Sequence, residues 1–379
     1  MTPASPAAPG ASGPGWVTVA HEDFEQLDLG SAAWEADREP RAEDGPYGDQ
    51  GAYFVRRGTA APPAAFRLSK ALGAGGWLTA DSYTRDAATS FGTLLSVVPD
   101  PANPANKVLR LRSPAHTDAT VLRTTEPLPA RYRASLRVGF AKFGDGTSTL
   151  NGYAAENLGA GPWRTDAAAN SQNGFYWMAI LDAKPGPHNN TWIHHHRKIV
   201  IDSDNNFPVW TQIWDGQRLV SSGEHPVTML AIDGRGPRTG DAGAPFIPYA
   251  GGAWQPSGTI AAPDAYVDGE WYDVSIERSG TSYTLQVSGR FRYGGQTTYR
   301  ATIDAAAACV WHYNRTAAED ASHCVDPNPL PGLTAEDAGA AAWPAGATWP
   351  DFLMFGDPHE NFYAGEVLYD DVKLEVWQP

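Results

Sequence analysis

The sequence has no stretch of roughly 18 or more apolar residues, the length a membrane-spanning helix needs, and no amphipathic run suited to lying on a bilayer. It is also poor in positive charge: 28 Lys and Arg stand against 43 Asp and Glu, giving a formal charge of −15 and a pI near 5.0. That balance excludes a nucleic-acid partner, which requires a clustered basic face. It does not exclude an acidic glycan, because a local group of Arg, Lys and His reverses the potential inside one cleft. Cysteine is scarce, with only Cys309 and Cys324 in 379 residues. Their spacing would close a loop of about 15 residues and contribute roughly 3 kcal/mol if oxidised, which suits a secreted, extracellular protein. Two free buried thiols are the alternative; a zinc site would need more than His312 and His323 between them.

A sustained helical period is missing as well. From Trp16 onward, runs of five to ten residues rich in Val, Ile, Tyr, Trp and Thr alternate with Gly, Pro, Asn and Asp, the pattern of an all-β chain. The clearer strands are Val108–Arg112, Tyr132–Phe143, Phe175–Leu181, Trp192–Ile201, Val209–Trp214, Val227–Ile232, Trp271–Arg278, Tyr283–Val287, Thr297–Ile303, Phe352–Phe355 and Glu366–Trp377. That many strands suit a β-sandwich of two antiparallel sheets. Two long segments, Asp233–Asp268 and Ala305–Pro350, interrupt the rhythm without a hydrophobic period of their own, and read as loop insertions walling a cleft. Residues 1–15 form a Pro/Ala-rich leader with neither a basic nor an apolar signal region and are expected to be disordered; residues 16–379 are expected to be one domain.

Within Gly269–Gly289, apolar and polar residues alternate on both sides of Ser279-Gly280, a hairpin signal. This segment resembles the central hairpin of the concanavalin A-like (laminin G-like) jelly rolls. The stretch Val19-Ala-His-Glu-Asp-Phe-Glu25 is similar to the first strand of those domains, and Glu366-Val-Leu-Tyr-Asp-Asp-Val-Lys-Leu-Glu375 to their closing strand. The resemblance implies a jelly-roll sandwich over Trp16–Trp377, a carbohydrate as partner, and pairing of the first and last strands. Pairing of that kind would bring Glu22 and Asp23 beside Asp370 and Asp371; clustered carboxylates call for a cation, and a structural Ca²⁺ is expected there unless backbone amides satisfy them.

The densest polar group is Pro187–Asn206, which contains His188, Asn189, Asn190 and the run His194-His195-His196-Arg197-Lys198. On a strand, His194, His196 and Lys198 point one way, while His195 and Arg197 share the other face with Ile193, Ile199 and Ile201. Burying five such groups unpaired is too costly, so part of this strand should line a wet cleft. The neighbouring Tyr176, Trp210, Gln212 and Trp214 would add aromatic platforms and a hydrogen-bonding group for sugar rings.

Three functions use this constellation differently. A polysaccharide lyase acting by β-elimination beside a uronic acid needs a carboxylate-neutralising group, a base for the C5 proton and an acid for the leaving oxygen. Arg197 or Lys198 with Asn189 or Asn190, one of His194–His196, and Tyr176 would fill those roles. The alginate- and glucuronan-type jelly-roll lyases resemble this composition, but their Arg-x-Glu-Leu-Arg and Gln-Ile-His motifs are absent, the nearest being Gln212-Ile-Trp214. A glycoside hydrolase would instead draw two carboxyl groups from Asp182, Asp202, Asp204, Asp215 and Glu224. A binding module would need only the aromatic residues. A metal held by His at i and i+2 on the strand is the remaining possibility.

Overall fold

The computed structural model describes residues 14–29, 35–37, 65–73, 75–84, 89–113, 118–143, 176–182, 197–202, 227–233, 264–306, 311–312, 349–358 and 365–379. Cys309 and Cys324, most of the leader, and the larger part of both long insertions lie outside them. Within them the chain is an all-β sandwich. In chain order the strands are β1 (Gly15–Glu22), β2 (Glu35–Asp37), β3 (Ala65–Leu72), β4 (Leu78–Thr84), β5 (Leu95–Pro99), β6 (Lys107–Ser113), β7 (Asp118–Thr124), β8 (Arg131–Phe143) and β9 (Tyr176–Leu181). There follow β10 (Arg197–Asp202), β11 (Thr228–Asp233), β12 (Trp271–Ser279), β13 (Ser282–Phe291), β14 (Gly295–Asp304), β15 (Trp311–His312), β16 (Phe352–Asp357) and β17 (Gly365–Gln378). A single helical turn, α1 (Phe91–Leu94), precedes β5. No helix among the described residues is long and apolar enough to cross a membrane.

Sheet A has eight strands in the order β14-β13-β12-β8-β17-β6-β5, with β1 also on β17; sheet B has nine in the order β15-β11-β10-β9-β16-β7-β4-β3-β2. Pairing is antiparallel throughout except between β11 and β15. Sheet A follows the alternation its sequence shows. Tyr132, Ala134, Leu136 and Val138 of β8 and Val274 and Ile276 of β12 enter the core, while the residues between them stay at least partly exposed. One face of an antiparallel sheet packs and the other meets water. The β12–β13 hairpin turns on Gly280-Thr281, with Ser279 opposite Ser282 and Gly280 at φ 66. Positive φ at the first central position is the feature that lets a two-residue loop follow the strand twist.

Sheet B differs. Every residue of β4 and of β9 is buried, so these strands have no wet face. Of the expected strand Trp192–Ile201, residues 197–201 are strand, which runs on to Asp202, and residues 192–196 lie outside the described residues, as does the expected Val209–Trp214. Strands β3, β4, β5 and β7 are additional to those read from the sequence.

The insertion Asp233–Asp268 ends in an ordered knot. Asp264 is 1% exposed, and its carboxylate accepts hydrogen bonds from the N–H groups of Ala265 (2.8 Å), Tyr293 (2.9 Å) and Gly294 (2.7 Å) and from the Tyr299 hydroxyl (2.6 Å). It thereby ties the chain entering β12 to the β13–β14 turn. A buried donor left without its acceptor costs about 1–3 kcal/mol. Asp264→Ala should therefore lower the unfolding free energy by about 2–4 kcal/mol, and Asp264→Asn by less, as read from urea denaturation midpoints; equal stability of Asp264→Ala and the parent would remove this knot from the account.

Candidate functional site

Most of the sequence-derived constellation cannot be placed: His188, Asn189, Asn190, His194, His195, His196, Trp210, Gln212, Trp214, Asp215 and Glu224 lie outside the described residues. Asp202 is described in its backbone, as the last residue of β10 opposite Tyr176. Arg197 opens β10 half-buried, and its carbonyl accepts the Asp182 N–H at 3.0 Å. Ile199 and Ile201 enter the core between the sheets, so alternation turns Lys198 to the outer face of sheet B, as the strand parity requires. The described part of this strand is not wet, however. Lys198 is 1% exposed and Tyr176 4%.

Tyr176 reaches the same face by an irregularity. Ile201 pairs with Met178 but the next residue, Asp202, pairs with Tyr176, and on the other side Met354 and Gly356 face Ala179 and Tyr176. Trp177 and Met178 thus stand against single residues of both neighbouring strands and both enter the core, which reverses the parity of Tyr176. A β-bulge re-aims a side chain in this way. Along β10, Lys198 sits opposite Leu181 and Asp202 opposite Tyr176. For the Lys198 ammonium to lie 5.7 Å from the centre of the Tyr176 ring, both side chains must run along the sheet toward each other, over Val200 and Ala179. That separation is within cation–π range.

Across the sheet, the register aligns Ser69, Asp81, Val121, Gly356 and Tyr176 in one row. Asp81 is 2% exposed; it accepts hydrogen bonds from the Ser69 hydroxyl and from Nε of the buried Arg123. Gly356 puts no side chain on the row between Asp81 and Tyr176; at its φ of 116 a Cβ would turn inward, 2.6 Å from the Thr120 carbonyl oxygen and 2.8 Å from the core side chain of Leu111. Three strand spacings separate Asp81 from Tyr176, about 14 Å. Two polar groups therefore flank a shallow apolar strip: Ser69–Asp81–Arg123 on one side and Tyr176–Lys198 on the other. Sequence reading missed Ser69, Asp81 and Arg123. No local signal marks them, because β4 and β7 carry Thr and Ser beside the charged residues and read as polar segments.

Asp182 is not part of this face. The N–H of Asp351 donates to the Leu181 carbonyl at 2.8 Å, which sets Asp351 beside Asp182. The hydroxyls of Tyr132 and Tyr283 donate to the Pro350 carbonyl at 3.4 and 3.1 Å. Burial pushes the Asp351 carboxyl above the ordinary carboxylate range, Arg278 opposes this, and Asp182 adds to it. Burial likewise raises both tyrosines.

The four terminal carboxylates do lie on paired strands, with Glu22 opposite Val372, but they do not converge. Glu22 accepts from the Phe24 N–H (2.8 Å) and Asp23 from the Glu25 N–H (3.1 Å). Asp370 accepts from the Asn106 amide (2.9 Å) and the Asp371 N–H (2.8 Å), and Asp371 pairs with His21 (2.5 Å) and, at 3.8 Å, Lys373. Among the described residues no three His, Cys, Asp or Glu side chains form a cation-binding group. The expected Ca²⁺ set does not fit, because backbone amides and cationic side chains already hold these oxygens.

No family model matches the chain, and no curated protein matches it. Among solved structures, the carbohydrate esterase of the Shiga toxin-encoding bacteriophage phi24B aligns over 74% of this chain and 86% of that one, at 13% identity and a TM-score of 0.31. A likeness at that level does not establish a shared topology and carries no functional argument.

The raised carboxyl of Asp351 sets a pH dependence. It binds its proton more tightly in the folded than in the unfolded chain, so its contribution to stability is complete below the ordinary Asp range and is lost as pH rises through the folded value. Asp351→Asn should flatten the fall in melting temperature as pH rises above the ordinary Asp range; an unchanged slope would show that its surroundings do not raise the Asp351 carboxyl.

Proposed function

We propose that the outer face of sheet B binds and cleaves a polysaccharide, and that cleavage is β-elimination next to a uronic acid. The observation that carries this reading is the bulge at Trp177–Met178, which turns Tyr176 onto the face of Lys198 and sets their side chains against each other. Elimination needs a cation and a proton donor close together, and this contact supplies both. The cation neutralises the uronate carboxylate, which acidifies the C5–H; a base takes that proton, the C4–O bond breaks, and the C4–C5 double bond forms. Lys198 supplies the positive charge. Tyr176 gives its proton to the departing oxygen, and one of His194–His196 takes the C5 proton. In so desolvated a place each charge acts far more strongly than in water. Substrate entry must uncover this face.

One observation favours a glycoside hydrolase instead. Asp182 and Asp351 lie side by side, and Asp351 is raised toward the protonated state that a general acid needs.

Absorbance of the unsaturated uronate, followed in parallel with new reducing ends on acidic and neutral polysaccharides, separates the two. We expect both signals on a uronate-containing polymer, with Tyr176→Phe and Lys198→Met each lowering the rate about 100-fold or more while leaving the melting temperature within a few degrees. New ends without absorbance, abolished by Asp182→Asn or Asp351→Asn, would replace the lyase with the hydrolase. Silence on the whole panel would reduce the face to a binding surface.

A further inference from the structure

The outer face of sheet A is built differently from that of sheet B and is open. A groove of about 500 Å³ lies across β14, β13, β12, β8 and β17, lined among others by Arg133, Asp273, Glu277, Gln286, Arg300 and Glu375. Register arranges these side chains in rows. Thr302, Thr284, Glu277, Arg133 and Glu375 follow one another across five strands, and Arg300, Gln286, Ser275, Ser135 and Lys373 form the next row. Some of this is ordinary cross-strand pairing: Arg133 donates to Glu375 at 2.7 Å. Asp273 and Arg300 differ, being exposed and making no hydrogen bond or ion pair among the described residues.

Aromatic residues stand at two levels along the same strand. At the start of β8, the Arg131 guanidinium lies 3.9 Å over the Trp377 ring, Trp377 meets Trp16 edge-on at 5.5 Å, and Arg133 lies 4.9 Å over Trp16. Midway along it, Arg137 lies 4.0 Å over the Trp271 ring. Arg131 and Arg137 are six residues apart, about 20 Å along a strand. All three indoles are only partly buried. Each indole carries a guanidinium over one face, and the polar trough runs between the Trp16–Trp377 pair and Trp271.

The chemistry selects the ligand. The groove offers carboxylates, guanidinium groups, a primary amide and hydroxyls, so it can both donate to and accept from a ligand rich in hydroxyl groups. Its cations Arg133, Arg300 and Lys373 are matched against Asp273, Glu277, Asp371 and Glu375, leaving no positive excess to hold a polyanion on a chain of formal charge −15. Indole faces complement the apolar C–H faces of sugar rings, and their rigidity keeps the entropic cost of binding low. We infer that the outer face of sheet A is a second, non-catalytic binding site for a neutral oligosaccharide segment, lying between the Trp16–Trp377 pair and Trp271. It is independent of the reaction on sheet B: a chain held here keeps the protein on a mixed polysaccharide while cleavage proceeds on the opposite face.

Affinity electrophoresis through native gels containing galactomannan, hydroxyethylcellulose, mixed-linkage β-glucan or alginate tests this. The parent protein should be retarded in at least one of the three neutral gels, and Tyr176→Phe equally so, which separates this site from the sheet B face. The double variant Asp273→Ala/Arg300→Ala, whose side chains hold nothing in the fold, should weaken retention about tenfold or more at unchanged melting temperature. Unretarded migration in every neutral gel, retardation in alginate alone, or retention unaltered in Asp273→Ala/Arg300→Ala would each overturn the inference.

Discussion

The sandwich hangs on β17. Its first half, Gly365–Tyr369, pairs with β6, and its second half, Val372–Gln378, pairs with β1 along the same edge, while β8 runs beside both halves. One strand can serve two partners end to end only if it changes direction between them. The bulge at Asp370–Asp371, with Asp371 at φ 51, makes that change. A non-glycine residue there is costly, and the site is secured accordingly: Asp370 accepts from Asn106, Arg137 lies 3.6 Å from Asp370 and 3.2 Å from Asp100, and Asp371 is held by His21. Carboxylates that look like a cation site in sequence are thus the fastening of a bulge. The same fastening is why burial raises Asp370 only against the opposition of Asn106, the Asp371 N–H and Arg137.

Legibility of the fold followed the number of wet faces. Sheet A has one, so β8, β12, β13, β14 and β17 alternate, and each was read from the sequence to within a few residues. The hairpin and the pairing of first and last strands, on which the resemblance to the concanavalin A-like jelly rolls rested, are both present. Sheet B has none at β4 and β9. Strand β9 still reads as an apolar run, but β4 carries Thr79, Asp81, Ser82 and Thr84, and looks like a surface segment until its neighbours are known. Ser82 shares a hydrogen bond with Thr120 at 2.7 Å, and Asp81 is answered by Ser69 and Arg123. Those partners are 12 to 42 residues away in the chain, beyond any local pattern.

The candidate site divides along the same line. Parity placed Lys198 opposite Ile199 and Ile201 correctly, because β10 is regular. Parity fails for Tyr176, which would share the core with Met178 had Trp177 not been accommodated as an extra residue; nothing in Tyr-Trp-Met-Ala-Ile-Leu announces a bulge. Trp177 itself explains why one is tolerated. It stacks on Tyr266 at 3.9 Å and meets Tyr272 at 5.3 Å, so the indole fills the interior between the sheets and stabilises the irregular strand that exposes Tyr176 to the other side.

Energetics distinguish the two outer faces. Desolvating an ion pair such as Asp81–Arg123 costs several kcal/mol per charge before attraction returns it, and apolar replacements of similar volume are commonly no less stable. Asp81 meets that cost with two donors, the Ser69 hydroxyl and Arg123, and Lys198 with the Tyr176 ring. The charges of sheet A impose no such cost, since they are hydrated, and their value to stability is correspondingly slight. Buried charge organised by hydrogen bonds suits a place where charge must develop in a reaction, and hydrated charge between aromatic platforms suits a place where a ligand is merely held. One apolar core separates the two faces.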